Sequence, residues 1–388
     1  MKNPLEGISG REYELLYHIY KNGPATKKEL ILTLNMKPTT LNRSMAVLEK
    51  RNLICGSGEA ASTGGRKPAE YDVAQDVAYA VGVDISRTYV QIAVINLKMQ
   101  ALSKHRFDMG PNSTPRQCAD RIAERIEVML QKLSIEKSAV LGIGVGTVGP
   151  LNRKTGVLHH PQGFSNPEWS GTVPLADMLE SKTGMPCLLD NGANTALLAE
   201  YLFGKGRGRN CVAYIHCGVG IRCAVIKEDA ILRTLNDRED AFAHMTVQYE
   251  GLPCVCGCRG CVESYASLES VRRGYQALSG QEITYRELFG LAAGRNADAT
   301  KVLDNAAEVL GIGIANLVRL LDVELVILSG PLVANYDGFY AKCMESVRIQ
   351  NIKRRIEYAK EGLFAEDVVA IGAGLMVIEN SIRGGQRK

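Results

Sequence analysis

Two sixteen-residue stretches, VGVDISRTYVQIAVIN (81–96) and VAYIHCGVGIRCAVIK (212–227), can be laid over each other without a gap. Each reads as an apolar strand, a polar or glycine-bearing turn, and a second strand with Ala-Val-Ile near its end. A repeat at this separation restricts the chain to a duplicated architecture of two similar α/β lobes. The apolar runs AVLGIGVG (139–146) and ELVILSG (324–330) come later. They predict strands buried on both faces of a parallel sheet, which need no polar side. Helical patterns lie between, over Pro115–Leu133, Asn194–Phe203 and Thr300–Leu321.

The first seventy or so residues have a different grammar. Ser9-Gly-Arg-Glu12 and Thr26-Lys-Lys-Glu29 are capping boxes, each opening a short amphipathic helix. Leu15, Leu16, Ile19 and Tyr20 form the inner face of the first helix, and Leu30 and Leu34 that of the second. Asn22-Gly-Pro24 stops the first, and Pro38 suits the first turn of a third helix that turns Leu41, Met45 and Leu48 inward. Lys37, Thr39, Thr40, Asn42 and Arg43 are left near the N-terminus of that helix, the position from which a helix-turn-helix reads the major groove. Two strand-like pieces, Leu53–Cys55 and Glu70–Val73, flank a glycine-rich tip with Arg66 and Lys67, suited to phosphates or the minor groove. Six basic residues between Lys37 and Pro68 stand against Glu49 and Glu59. This segment therefore carries as much net charge as the whole chain, +4. The sequence predicts a winged helix-turn-helix that binds DNA; the competing reading is a small helical dimerisation module.

No apolar signal core opens the chain, and no apolar run reaches the ~18 residues of a membrane span, so a cytoplasmic location with no membrane partner is expected. Eleven cysteines are then expected as reduced thiols. One glycine pattern is a decoy: Gly144-Val-Gly146-Thr-Val-Gly149 fits a dinucleotide fingerprint, but Pro150 and a polar turn follow where a helix is required.

Cys254, Cys256, Cys258 and Cys261 fall within eight residues, PCVCGCRGCVE, with His244 ten residues upstream. A tight cluster of reduced thiols points to a metal before a disulfide, and zinc takes four tetrahedral N/S ligands. The chemistry does not choose between His244 and Cys258 as the fourth ligand. It also leaves room for an iron–sulfur cluster or for free thiols.

The segments GVGTVGPLNRKTGVL, DNGANTALLAEYLFGKGRG and HMTVQYEGLPCVCGCRGCVE resemble the ROK family of bacterial sugar kinases and sugar-responsive repressors. The winged helix followed by TGGRKP is similar to its repressor branch, such as the xylose and N-acetylglucosamine repressors. The resemblance implies an α/β, actin-like, ribonuclease H-like duplicated fold. It selects His244, Cys254, Cys256 and Cys261 as ligands of a structural Zn2+, leaving Cys258 over, and Asn191, His244 and Glu263 as sugar contacts. It also implies where this chain departs from a kinase. Gly192 stands in Asn191-Gly-Ala-Asn194 where the catalytic aspartate belongs, and Asp190 is displaced by two positions. Ser86 replaces a phosphate-loop glycine, Val219 and Arg222 alter a second such loop, and Ser329-Gly330-Pro331 replaces a glycine pair. Ala241 and Ala243 stand where a sugar-binding glutamate and a glycine are usual.

The expected organisation is a winged helix over 1–76, a first lobe over 77–193 completed by a C-terminal helix at about 370–388, and a second lobe over 194–369 with the zinc loop and a dimerisation surface. The expected function is a repressor of carbohydrate-utilisation genes, not an enzyme, whose hold on operator DNA is modulated by a sugar or related small molecule. Two alternatives stand beside it: a metal- or thiol-responsive regulator with a vestigial pocket, and an ATP-dependent sugar kinase. His159-His160 reads as a solvated turn, and Trp169 as either loop packing or a ligand-stacking ring.

Overall fold

The computed structural model describes residues 4–59, 68–161, 163–233, 241–350 and 355–384. The chain divides into two compact units, Met1–Thr195 with Val369–Lys388, and Ala196–Val368. No described helix is long and apolar enough to cross a membrane.

The first unit begins with α1 (Gly10–Asn22), β1 (Ala25–Thr26), α2 (Lys27–Leu34), α3 (Pro38–Lys50), β2 (Ile54–Glu59) and β3 (Ala69–Val73). Both capping boxes form as the sequence predicts, and Pro38 occupies the first turn of α3. Leu41, Ser44, Met45 and Leu48 bury one face of α3, and Leu15, Leu16 and Ile19 of α1 are fully buried. Leu34, expected inside, is only half-buried, while Met36 in the following turn is buried. The strands pair in the order β1-β3-β2. β2 runs longer than the predicted Leu53–Cys55, because the alternating glycines of Cys-Gly-Ser-Gly-Glu carry no apolar period to read. Arg66 and Lys67 lie outside the described residues.

The same unit continues through β4 (Tyr79–Ile85), β5 (Tyr89–Asn96), β6 (Ala101–Asp108), α4 (Pro115–Lys132) and β7 (Val140–Thr147). A small antiparallel sheet follows, of β8 (Leu151–Asn152), β9 (Val157–His159) and β10 (Thr172–Val173), then α5 (Leu175–Thr183) and β11 (Cys187–Asn191). The strand that succeeds the decoy glycines is β8, so no dinucleotide-type helix starts there.

α6 (Gly192–Phe203) leads into the second unit: β12 (Cys211–Cys217), β13 (Ile221–Lys227), β14 (Ala230–Ile231), α7 (Glu263–Ala266), α8 (Leu268–Ser279), α9 (Tyr285–Ala293), α10 (Ala297–Leu321), β15 (Leu325–Ser329), α11 (Pro331–Asn335), α12 (Asp337–Ile349) and β16 (Glu357–Lys360). The two large sheets, β11-β7-β4-β5-β6 and β14-β13-β12-β15-β16, have one topology. In each, the first strand is central, the second and third run antiparallel on one side, and the fourth and fifth parallel on the other. The copies differ by one residue in register. Val81 faces Val94, whereas its counterpart Val212 faces Ile226, one place beyond the gapless superposition. The tighter turn Gly218-Val-Gly220 accounts for the difference.

α13 (Val368–Gly384) returns to the first unit and lies against its sheet. A Cβ on Gly82 or Gly144 would sit 1.8 Å from the carbonyl oxygen of Ala370 or Ala373, so strand and helix backbones meet there without side chains. Farther along α13, the Tyr17 hydroxyl of α1 donates to Glu379 Oε2 at 3.1 Å, and Arg383 donates to the same hydroxyl.

Candidate effector and metal site

In the second unit the stretch after Ala241 folds into a loop held by its own backbone. Glu263 N–H donates to Ala243 O, Val262 N–H to Met245 O and Val247 N–H to Gly260 O, at 2.8–3.0 Å. Thr246 pairs with Cys261, and Pro253 with Arg259, as isolated bridges. Gly260 has φ 74°, and a Cβ there would lie 1.7 Å from Gln248 O, so the fold-back admits glycine alone. Phe242, Ala243 and Val262 are buried in the core of the second unit and anchor both ends of the loop.

This folding brings the ligand atoms of His244, Cys254, Cys256 and Cys261 within 4.8 Å of one another. Cys254 Sγ lies 3.5 Å from His244 Nδ1, and Cys256 Sγ lies 3.7 Å from Cys261 Sγ. A tetrahedron with arms of about 2.3 Å has edges of about 3.8 Å, so the donor set and spacing fit a four-coordinate N/S ion. Cys258 is exposed and outside the cluster. Burial pushes the Cys254 thiol up, but the Cys256 backbone and the Ser264, Cys256 and Cys261 side chains outweigh it and bring the group down to about 7. Cys261 goes the other way, to about 12, through burial and its bonds to Cys256 and Cys254.

Beside the cluster, α7 begins at Glu263. Its Oε2 is 3.7 Å from His244 Nε2, so the imidazole turns Nδ1 to the thiols and Nε2 to a carboxylate, an arrangement that fixes a metal-binding histidine's orientation. Glu263 Oε1 accepts from Ile221 N–H at 3.3 Å and lies 3.5 Å from Arg222 Nη1. The sequence does not announce this ion pair, since the two stand 41 positions apart. The signal available was Arg222 itself, a charge set directly before the apolar run Cys223–Ile226 of β13. Ala241 is exposed and contributes no polar group.

In the first unit Asn191 is buried, and its Oδ1 accepts from Ala193 N–H at 2.9 Å, capping α6. Asp190 is also buried and accepts from Asn191 N–H and Asn194 Nδ2 at 2.8 and 2.9 Å. Its carboxylate is tied to the start of α6. A Cβ on Gly192 would meet Val369 at 3.5 Å, an ordinary contact. Asp84 is buried, takes the Tyr89 hydroxyl at 3.0 Å, and is pushed up to about 7 by burial, against the pull of Tyr89 and Arg106.

Of the other conspicuous residues, Trp169 is fully buried, stacks on Phe164 at 4.5 Å and donates to Ser113 O, so it packs its loop. His159 and His160 are exposed, with His160 Nδ1 2.7 Å from Ser170 O. Lys37, Thr39, Asn42 and Arg43 are exposed and Thr40 half-buried; Asn42 Oδ1 accepts from Lys27 Nζ at 3.0 Å.

Comparison with known proteins agrees with this architecture. The chain is 25% identical to a xylose repressor of Caldicellulosiruptor bescii, the match covering 95% of each. It is 28% identical to a glucokinase of Halalkalibacterium halodurans over 79% of this chain and 97% of the relative. A crystal structure of a ROK family transcriptional regulator, described as a homologue of the E. coli MLC protein, superposes with a TM-score of 0.75 at 20% identity, covering 97% of this chain and 96% of that one. The ROK family model matches residues 80–379, and the chain, with its duplicated α/β lobes and its histidine–cysteine loop, belongs to the ROK family.

Proposed function

We propose that this protein is a DNA-binding transcriptional regulator, a repressor of carbohydrate-utilisation genes that works as a homo-oligomer, dimer or tetramer, and responds to a sugar or related small molecule held by its ROK lobes. The observation that carries this reading is α3. Its inner face is buried, while Lys37, Thr39, Asn42 and Arg43 stand exposed around its N-terminus, the end that helix-turn-helix proteins present to base edges. In this reading Arg66 and Lys67 supply wing contacts, and the near full-length similarity to a xylose repressor supports it.

Asn191, His244 and Glu263 are the proposed ligand contacts. His244, Cys254, Cys256 and Cys261 would hold a structural Zn2+, whose binding can contribute roughly 10–16 kcal/mol in small peptides and less in a preformed domain. Zinc would brace the loop that carries His244 and Glu263 and take no part in chemistry.

The ligand shifts operator affinity only by its differential affinity for two states of the protein. Tyr17, Glu379 and Arg383 supply a route for that shift, since α13 packs on the first sheet and bonds to the first helix of the DNA-binding module. Phosphoryl transfer is not part of the reading. Gly192 offers no base, Asp190 is tied to Asn191 and Asn194, and Arg222 stands where the family's second phosphate loop has its last glycine.

The test is fluorescence anisotropy on DNA from upstream of the protein's own gene, with sugars titrated at fixed salt and ATP consumption followed in parallel. Release of DNA by a sugar or sugar derivative without ATP turnover is expected. Sugar-dependent ATP turnover without DNA binding would replace this reading with a kinase, and release by chelator alone with a metal-responsive regulator.

A further inference from the structure

We propose that the ligand of this site is an anionic sugar derivative, a polyol bearing a carboxylate or phosphate, and that Arg222 selects it; this rests on the effector-site reading above. A neutral sugar is held by carboxylates that accept from several of its hydroxyls, and Glu263 is poorly placed to do so. Its Oε1 is already met by the Ile221 N–H and by Arg222, and its Oε2 faces His244 Nε2. Ala241, Ala243 and Val219 carry no polar side chain that could add an acceptor.

Arg222 has donors to spare. A guanidinium carries five N–H groups in a fixed fork. Here Nη1 donates to Ile221 O at 2.8 Å and lies 3.5 Å from Glu263, which leaves Nη2 and Nε without a protein acceptor among the described residues. The side chain is 18% exposed, enough to meet a ligand and too buried to be a solvated surface charge. Gly220 makes room for the pair, since a Cβ there would come within 2.6 Å of Glu263 Oε1 and 3.0 Å of Arg222 Nη1. Among the described residues, the one carboxylate beside this guanidinium and imidazole leaves the site with no net negative charge. Its open valence is a planar fork that matches a carboxylate or phosphate with two parallel hydrogen bonds. Glu263 then holds the arginine in place and keeps one edge for a ligand hydroxyl.

The experiment is calorimetry on the full-length, zinc-loaded protein with two matched sets: glucose, glucuronate and glucose 6-phosphate, then xylose, xylonate and xylose 5-phosphate. At least one anion is expected to bind about tenfold or more tightly than its neutral parent, and Arg222→Leu to remove that advantage. The carboxylate and phosphate arms separate the two sources of charge. Arg222→Lys and Arg222→Gln, checked by circular dichroism, guard against loss of folding: lysine should keep part of the preference and glutamine none. A neutral parent that binds as well as its anions, an anion preference that survives Arg222→Leu, or no binding by any of the six would overturn the proposal. Operator binding measured on the same preparations keeps the two readings apart. A protein that binds DNA and prefers a neutral sugar sinks this inference alone, and one that binds no DNA sinks the regulator.

Discussion

The Tyr17 hydroxyl donates to Glu379 Oε2 at 3.1 Å, joining α1, at the start of the chain, to α13, at its end. Arg383 donates to the same hydroxyl and lies over the ring, 4.9 Å from its centroid. Burial, with the Glu379 carboxylate beside it, pushes the tyrosine up to about 12, so the hydroxyl stays protonated and keeps donating across the physiological range.

Tyr17→Phe removes the donor but keeps the ring. It should lower stability by about 1 kcal/mol, and Glu379→Ala, which takes the acceptor from Tyr17 and the carboxylate from Arg383 while leaving those two bonded to each other, by about 2 kcal/mol. Denaturant unfolding measures the loss. On the proposed route both variants should also show a smaller ligand-induced change in DNA affinity than the parent, read as the ratio of dissociation constants with and without ligand.

Cys261→Ala takes a buried sulfur out of the four-atom cluster. Metal analysis of the purified protein should find about one zinc per chain in the parent and little in the variant, because three remaining ligands make an open site. Cys258→Ala, outside the cluster, should leave the metal content unchanged. An equal loss from both variants would show that Cys258 is a ligand after all.

Asp84 gives a pH dependence with a definite sign. Its folded value, about 7, lies above the ~3.9 of an unfolded aspartate, so the folded state holds the proton more tightly. The stability this contributes is complete below about pH 4 and is lost as pH rises towards 7, by a few kcal/mol at most. Asp84→Asn keeps an acceptor for the Tyr89 hydroxyl and abolishes the dependence. The variant should therefore exceed the parent in urea midpoint at about pH 8 and match it at about pH 4.

Much of this architecture was legible because it rests on patterns that survive in one dimension. β4–β5 and β12–β13 are buried hairpins with a shared apolar signature, and the capping boxes at Ser9 and Thr26 mark helix starts through local hydrogen bonds alone. The cysteine loop was legible because its ligands are packed into eight residues. What escaped was short or distant. β1 and β10 have two residues each, too few for a period, and take their shape from strands elsewhere. The start of α6 moved from Asn194 to Gly192, since the cap that sets it is Asn191 folding onto Ala193 N–H. The Arg222–Glu263 pair and the Tyr17–Glu379 bond depend on residues far apart in sequence, and neither side chain of either pair predicts its partner.

The central claim is that α3 reads DNA, and the most direct measurement compares Asn42→Ala, Arg43→Ala and the parent for binding to the upstream fragment and to a scrambled duplex. The parent should prefer the upstream fragment at physiological salt. Each substitution should cost about 1–3 kcal/mol on that fragment if it removes a base contact, and much less on the scrambled one. Equal affinity of the parent for both duplexes, or variants that bind the upstream fragment as tightly as the parent, would contradict the account.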